Sequence, residues 1–294
     1  MTLRQFAMLL LLAALWGASF LFIRMAAPVI GPLLTIEGRV SLAAFSLMLF
    51  ALLRRKALKL GLYWRELLMM GLLNAAIPFS LIARAQLHLS ASFASILNAT
   101  TPLFAALIAS VWLKERLSLK RFLGLMLGVL GVSVLVGWGP ISITKAYLLA
   151  IAYMLLATFF YGLAGVYARL KLTNVPTLSS ATGQQLAASL WLLFPLMFDL
   201  PRRIPPLNVA LAVLALALLC TALAYLLYFS LIREVGPTKT LTVTYLIPFF
   251  GTTWGLVFLH ESFSLGMLLG LCIILTSVLL VTELNLKTLI KAWG

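Results

Sequence analysis

Residues 101–124 read TPLFAALIASVWLKERLSLKRFLG, and residues 247–270 read IPFFGTTWGLVFLHESFSLGMLLG. Laid together without a gap, they put Pro102 on Pro248, Phe104 on Phe250, Leu113 on Leu259 and Glu115 on Glu261. Ser118 then meets Ser264, Leu119 meets Leu265 and Gly124 meets Gly270. The offset is 146 residues, the separation of Pro102 and Pro248. Near the front of each half an offset of 145 puts Gly17 on Gly162 and Arg24 on Arg169, with Trp16 on Tyr161. A shared proline, a Glu-x-x-Ser-Leu turn and a shared glycine set this apart from the chance likeness of leucine-rich helices, so the chain reads as a duplication, 1–144 and 145–294.

The copies are embedded in an apolar chain. Hydrophobic residues make up 63% of the 294 positions and charged residues 10%, with a mean hydropathy of +1.12. Soluble domains use about half apolar and a quarter charged residues, so the bilayer is the solvent for most side chains here. A span needs about 20 mostly apolar residues. Ten segments qualify: Phe6–Ala26, Leu33–Leu53, Glu66–Leu87, Ser92–Leu113, Leu119–Val136, Ala146–Ala168, Leu178–Phe198, Leu207–Ile232, Thr238–Leu259 and Ser264–Glu283. The first is longer than a signal-peptide core and lacks a small-x-small cleavage site, which reads as an uncleaved span. The longest connections, Arg54–Arg65 and Asp199–Pro206, are too short to fold alone.

Each half holds five spans, an odd number, so the second half enters the membrane from the opposite side. The expected fold is an all-α membrane protein, ten transmembrane helices as two inverted five-helix repeats around a central cavity. The net charge of +15 sits between apolar runs and forms no stripe, which argues for lipid headgroups and against nucleic acid. With the N-terminus inside, the cytoplasmic connections collect Arg4, Arg54, Arg55, Lys56, Lys59, Arg65, Lys114, Arg116, Lys120, Arg121, Arg169, Lys171, Arg233, Lys239, Lys287 and Lys291. The opposite side keeps Lys145, Arg202 and Arg203 in loops, and the turn around Glu261 has no Lys or Arg. Both termini are therefore expected in the cytoplasm. Trp64, Trp112, Trp138 and Trp293 fall near span ends as interfacial anchors, whereas Trp16, Trp191 and Trp254 lie deeper.

Each half shows Trp16-Gly17 or Tyr161-Gly162 in its first helix and a proline-interrupted fourth helix. An acidic turn follows, Lys114-Glu115-Arg116-Leu117-Ser118 or His260-Glu261-Ser262-Phe263-Ser264, and then a Gly-rich fifth helix. In these features the chain resembles the EamA family of the drug/metabolite transporter superfamily, over essentially its whole length in two copies. The resemblance implies ten helices around a central cavity and export of amino acids and other small metabolites. In length and style it is most similar to aromatic and neutral amino-acid exporters of bacterial inner membranes.

Inverted repeats put the substrate near the midplane. Pro102 removes a helical donor and crowds the Asn98 carbonyl; Asn98, Thr100 and Thr101 share that turn. The other copy offers Thr242, Thr244 and Tyr245 ahead of Pro248. Two equivalent hinges, Pro102 and Pro248, are thus expected at one level, lined by Asn98, Thr101, Thr244 and Tyr245. The competing account is that the hydroxyls only repair the kinks and bind neighbouring helices. Asn74, Phe79, Tyr161 and Tyr225 complete the substrate-lining set, with Phe160, Tyr228 and Pro78 at similar depth. Aromatic walls with a few polar handles suit a small amphipathic ligand; ordinary packing is the alternative for each residue.

Glu37 and Arg39 lie near the outer end of the second span and, two residues apart, do not share a helix face. Arg84 is the candidate partner of Glu37, with snorkelling to headgroups the simpler expectation for Arg24 and Arg84. The remaining acids, Glu66, Glu115, Asp199, Glu234, Glu261 and Glu283, fall in loops or at span ends. Proton-coupled carriers commonly use an intramembrane acid or histidine, and His88 and His260 are at helix ends, so a facilitator or weakly coupled exporter is expected. Glu115 and Glu261 are expected to stabilise the start of the helix each precedes. Glycines 124, 128 and 131, and 266 and 270, are spaced for close helix contact within the bundle.

Cys220 and Cys272 lie in apolar runs, where buried inert thiols are expected, and no metal spacing or cofactor motif is present. No H-E-x-x-H or G-x-S-x-G occurs, which disfavours an intramembrane enzyme, and nothing forms an ion filter. A carrier remains, with a neutral or aromatic amino acid as the first expected cargo and another metabolite or a cationic drug as the alternative. The expected partners are that small molecule and membrane lipid, and the expected state is a monomer.

Overall fold

Without water to take up its amide groups, an apolar chain satisfies its backbone within helices, and the computed structural model of this protein does so over most of its described residues, 1–115, 118–138, 144–198 and 205–282. Ten helices follow one another there. They are α1 (Leu3–Ile30), α2 (Pro32–Leu53), α3 (Trp64–Ala85), α4 (Ala91–Trp112), α5 (Leu119–Gly137), α6 (Lys145–Lys171), α7 (Thr177–Leu196), α8 (Leu207–Val235), α9 (Val243–Leu259) and α10 (Leu265–Val281). Seven are long and apolar enough to cross a membrane; α9 and α10 have 17 residues each, and α7 opens on the polar stretch Thr177 to Gln185. Arg116, Asp199, Arg202, Arg203, Glu283, Lys287, Lys291 and Trp293 lie outside the described residues.

Large apolar side chains face outward, among them Phe45, Val111, Val129 and Phe194, as lipid contact demands. Cys220 is buried but Cys272 is exposed, correcting the expectation for the second thiol: an apolar run in a bundle has a lipid side as well as a core side. Trp64, Trp112 and Trp138 sit exposed at helix ends. Trp191, half-exposed in the last two turns of α7, donates its indole N–H to the Leu68 carbonyl at 3.1 Å.

Contacts between the halves come in matched pairs. Helix α1 packs on α8 and α9, and α6 packs on α3 and α4. A Cβ on Gly17 would stand 2.8 Å from the Phe250 Cβ and the Gly251 amide, and a Cβ on Gly162 would stand 2.7 Å from the Ala105 amide. Phe250 and Gly251 are the offset partners of Phe104 and Ala105. Helices α2 and α7 pair across the halves, as do α5 and α10. In the latter seam Gly124 and Gly131 meet Ser277 and Ile274, and Gly270 meets Leu135. The Ser277 hydroxyl donates to the Gly124 carbonyl at 2.8 Å, so these glycines pack within the chain.

The acidic turns differ from expectation. Lys114 and His260, offset partners, both adopt left-handed backbone, φ 55° and 52°, and neither following glutamate caps the amides of the helix it precedes. Ser118 and Ser264 cap those helices instead, accepting from the Arg121 and Met267 amides. Glu115 accepts from Arg169 at 2.7 Å and Arg121 at 3.4 Å. Glu261 reaches into the other half: Oε1 accepts the Ala91 amide at 2.6 Å, and Oε2 accepts the Ser92 amide at 2.9 Å and hydroxyl at 2.6 Å.

The Arg169 hydrogen bond, helped by Arg121, holds the Glu115 carboxyl below its ordinary value of 4.5. A lowered carboxylate pKa favours the folded contact above the ordinary range, and that contribution fades as pH falls through the lowered value. Arg169→Gln should move the Glu115 carboxyl titration upward in a carbon-detected NMR experiment; an unmoved titration would show that the pair contributes nothing.

Candidate functional site

The same 146-residue offset relates two irregular turns. Helix α3 widens to a π-helix over Leu72–Ala76, and α8 does so over Leu218–Leu223. Each lies about halfway along its helix. A π-turn inserts a residue into the ladder, redirects side chains and frequently marks a functional site. Asn74 comes from the first turn; Cys220 and Thr221 come from the second.

The second turn faces a buried cation. Arg39 of α2 is 5% exposed. Its Nε donates to the Thr221 hydroxyl at 2.9 Å, and that hydroxyl donates to the Leu216 carbonyl at 2.9 Å. The guanidinium carbon stands 3.7 Å from the centre of the Phe79 ring, with Tyr161, Cys220 and Tyr225 within electrostatic reach. Placing an arginine at bilayer depth costs roughly 2.5–3.5 kcal/mol on insertion scales. A desolvated cation–π contact contributes about 2 kcal/mol, and a hydrogen bond from a charged donor about 1.5–3 kcal/mol. The contacts are of a size to hold the cation there, although only Nε has a hydrogen-bond partner among the described residues.

Aromatic rings continue from Arg39. Phe79 meets Tyr161 edge-on at 6.2 Å. Tyr225 stacks on Phe229 at 5.9 Å and meets Trp16 edge-on at 6.3 Å; Trp16 also contacts Tyr228 at 5.3 Å. The Asn74 amide donates to Gln184 Oε1 at 2.9 Å and to the Tyr225 hydroxyl at 3.4 Å. On α7, both side-chain heteroatoms of Gln185 are buried without a partner. Six helices, α1, α2, α3, α6, α7 and α8, thus contribute to one polar and aromatic cluster. A hollow of about 270 Å³ lies elsewhere, against Met1, Thr2, Leu3 and Phe6. Among the described residues no group of three or more His, Cys, Asp or Glu is placed to hold a metal.

The sequence matches the EamA-like transporter family over residues 4–137 and again over 148–283. The chain belongs to that family. This EamA-like transporter is 27% identical over 284 residues to the uncharacterized transporter YvbV of Bacillus subtilis (strain 168), covering 95% of this chain and 91% of that one. It is 26% identical over 271 residues to the S-adenosylmethionine/S-adenosylhomocysteine transporter of Chlamydia trachomatis serovar L2, covering 87% and 82%. A solved crystal structure superposes with a TM-score of 0.66 at 17% identity, covering 98% of this chain and 99% of that one, which shows a shared fold. The family consists of transporters of the drug/metabolite superfamily, and small molecules are its cargo class.

Within this EamA-like transporter, Asn74, Phe79, Tyr161 and Tyr225 of the expected lining meet in the cluster. Thr101, Thr244 and Tyr245 engage elsewhere. The Thr101 and Thr244 hydroxyls donate to the Asn98 and Leu241 carbonyls of their own turns, both at 2.8 Å, the repair role open to them from the start. Tyr245 shares a 2.8 Å hydrogen bond with Thr282. Asn98 keeps a buried Oδ1 without a partner.

The two prolines are not equivalent hinges. The break in α4 is at Ala99 and Thr100, with Pro102 opening the following segment. Pro248 lies inside the continuous helix Val243–Leu259, and the break before it is at Leu241 and Thr242. A proline is tolerated at a helix start, where its missing N–H has no intrahelical partner anyway; inside α9 the neighbouring helices must absorb the loss.

Charged residues also depart from expectation. Arg24 donates to the Gln86 carbonyl rather than reaching for headgroups, and Gln86 in turn donates to the Phe20 carbonyl at 2.9 Å. Glu37 accepts from Ser189 of α7 and keeps its other oxygen buried without a partner; Arg84 is exposed at the end of α3. Gln184, Gln185 and Thr221 were not among the expected lining. Adjacent glutamines within an expected span were the available signal, since amides in lipid need partners.

Proposed function

We propose that this chain is a carrier that exports small metabolites across the bacterial inner membrane by alternating access, with neutral or aromatic amino acids as its first cargo class. The observation that carries the reading is the pair of π-turns at one offset, both turned toward a buried cluster of hydroxyl, amide and aromatic groups. The exchanged contacts, α1 on α8 and α9 against α6 on α3 and α4, support two inverted five-helix halves rocking about that cluster. Both termini are cytoplasmic in this arrangement, and the working unit is a monomer.

Another metabolite is the second reading, favoured by the relative named for S-adenosylmethionine and S-adenosylhomocysteine. Those molecules carry an amino-acid end and a flat aromatic base, so one cluster of aromatic and polar groups suits either class. The test is a substrate panel in proteoliposomes with and without ion gradients. Saturable counterflow of a panel member is expected and separates a carrier from a channel; its absence across the panel would overturn the carrier reading. Uptake that requires a pH gradient would refute the facilitator.

Asn98→Trp and Thr244→Trp test the depth of the pathway. Each is expected to lower transport several-fold at unchanged expression. Unchanged transport in both would confine the pathway to the cluster around Arg39.

A further inference from the structure

We infer that Arg39 receives a carboxylate of the transported molecule, an assignment that rests on the carrier reading and adds the chemical class of the cargo. The side chain is 5% exposed and lies against the π-turn of α8. Phe79 covers one face of the guanidinium and Thr221 takes Nε. The two Nη groups have no hydrogen-bond partner among the described residues. A guanidinium edge presents parallel donors that match the two oxygens of a carboxylate.

No carboxylate of the chain fills that role among the described residues. Glu37, two residues earlier, turns to Ser189 on α7, and Glu115, Glu234 and Glu261 are engaged at helix ends. The groups beside the cation are neutral: Tyr161, Cys220 and Tyr225. An unpaired cation next to aromatic rings suits an anionic head joined to a flat or apolar body. A zwitterionic amino acid has that form, and a simple cationic amine does not.

Matched cargo sets in proteoliposomes of the full chain test this. Phenylalanine, its carboxamide and phenethylamine are compared, together with leucine and leucinamide, S-adenosylmethionine, and phenyl phosphate as a competitor. The acids are expected to move at least tenfold faster than the carboxamides. Arg39→Gln should bring the acids down to the level of the amides, with Arg39→Lys between. Folding is checked by size exclusion and thermal midpoint; if Arg39→Gln does not fold, the wild-type ratio and Arg39→Lys decide. Equal rates for acid and amide, an unchanged ratio in a folded variant, or stronger competition by phenyl phosphate than by the acid would overturn the assignment. Movement of amines alone would leave the carrier standing and remove Arg39 from this role; movement of nothing in the panel would remove both.

Discussion

Gly162→Ala is expected to lower the thermal midpoint of the purified protein, while Gly165→Ala, three residues on, leaves it near wild type. The added methyl at Gly162 would lie 2.7 Å from the Ala105 amide and 2.9 Å from the Phe104 carbonyl carbon. Both are backbone atoms of α4, so no rotamer change relieves the contact. Overpacking of this kind costs typically about 1–3 kcal/mol. Nothing stands within 4 Å of a Cβ at Gly165, so the control tests helix propensity without the crossing. Gly17→Ala, at the matched crossing of α1 and α9, should behave like Gly162→Ala. Equal midpoints for the Gly162 and Gly165 variants would show that the helices separate freely there and would remove the crossing from the account of how the halves are held. Gly162→Leu enlarges the same contact with the α4 backbone and should lower the midpoint further than Gly162→Ala.

Glu261→Ala is expected to destabilise α4, a helix in the other half of the chain. The carboxylate is the acceptor for the Ala91 and Ser92 amides, while Ser90 accepts from Phe93. Together they satisfy amides that the first turn of a helix leaves without partners. Removing the carboxylate orphans two groups at a cost of about 1–3 kcal/mol each if they stay buried. Glu261→Gln keeps one acceptor oxygen and should fall between wild type and Glu261→Ala. Hydrogen exchange of the amides at Ala91 and Ser92 is the direct measurement. Exchange no faster than wild type in Glu261→Ala would show that water replaces the carboxylate at no cost. Glu115 occupies the matching place in the first half but pairs with Arg169 and Arg121, so the two turns share a backbone conformation and differ in what they hold.

Much of the fold was legible in the chain. Hydropathy marked every helix within a few residues, because each residue's transfer into lipid depends mainly on its own side chain. The offset that aligns Pro102 with Pro248 also aligns the left-handed Lys114 with His260 and one π-turn with the other. The clustered half of the expected lining, Asn74, Phe79, Tyr161 and Tyr225, was read as aromatic and polar residues deep in apolar runs. The other half, Asn98, Thr101, Thr244 and Tyr245, lies outside that cluster, since a threonine one turn from a proline bonds its own backbone as readily as a ligand.

By itself the amino-acid sequence determined that the bilayer is the solvent, where the helices begin and end, and that the chain is built twice. Those properties follow from local composition and from spacing along the chain. The tertiary structure alone decided that Arg39 is a buried cation with no carboxylate partner among the described residues, that Glu261 serves a helix some 170 residues away, and that Pro248 does not break its helix. A charge, an acceptor or a missing amide takes its meaning from its neighbours in space, and those are brought together only by packing between the halves.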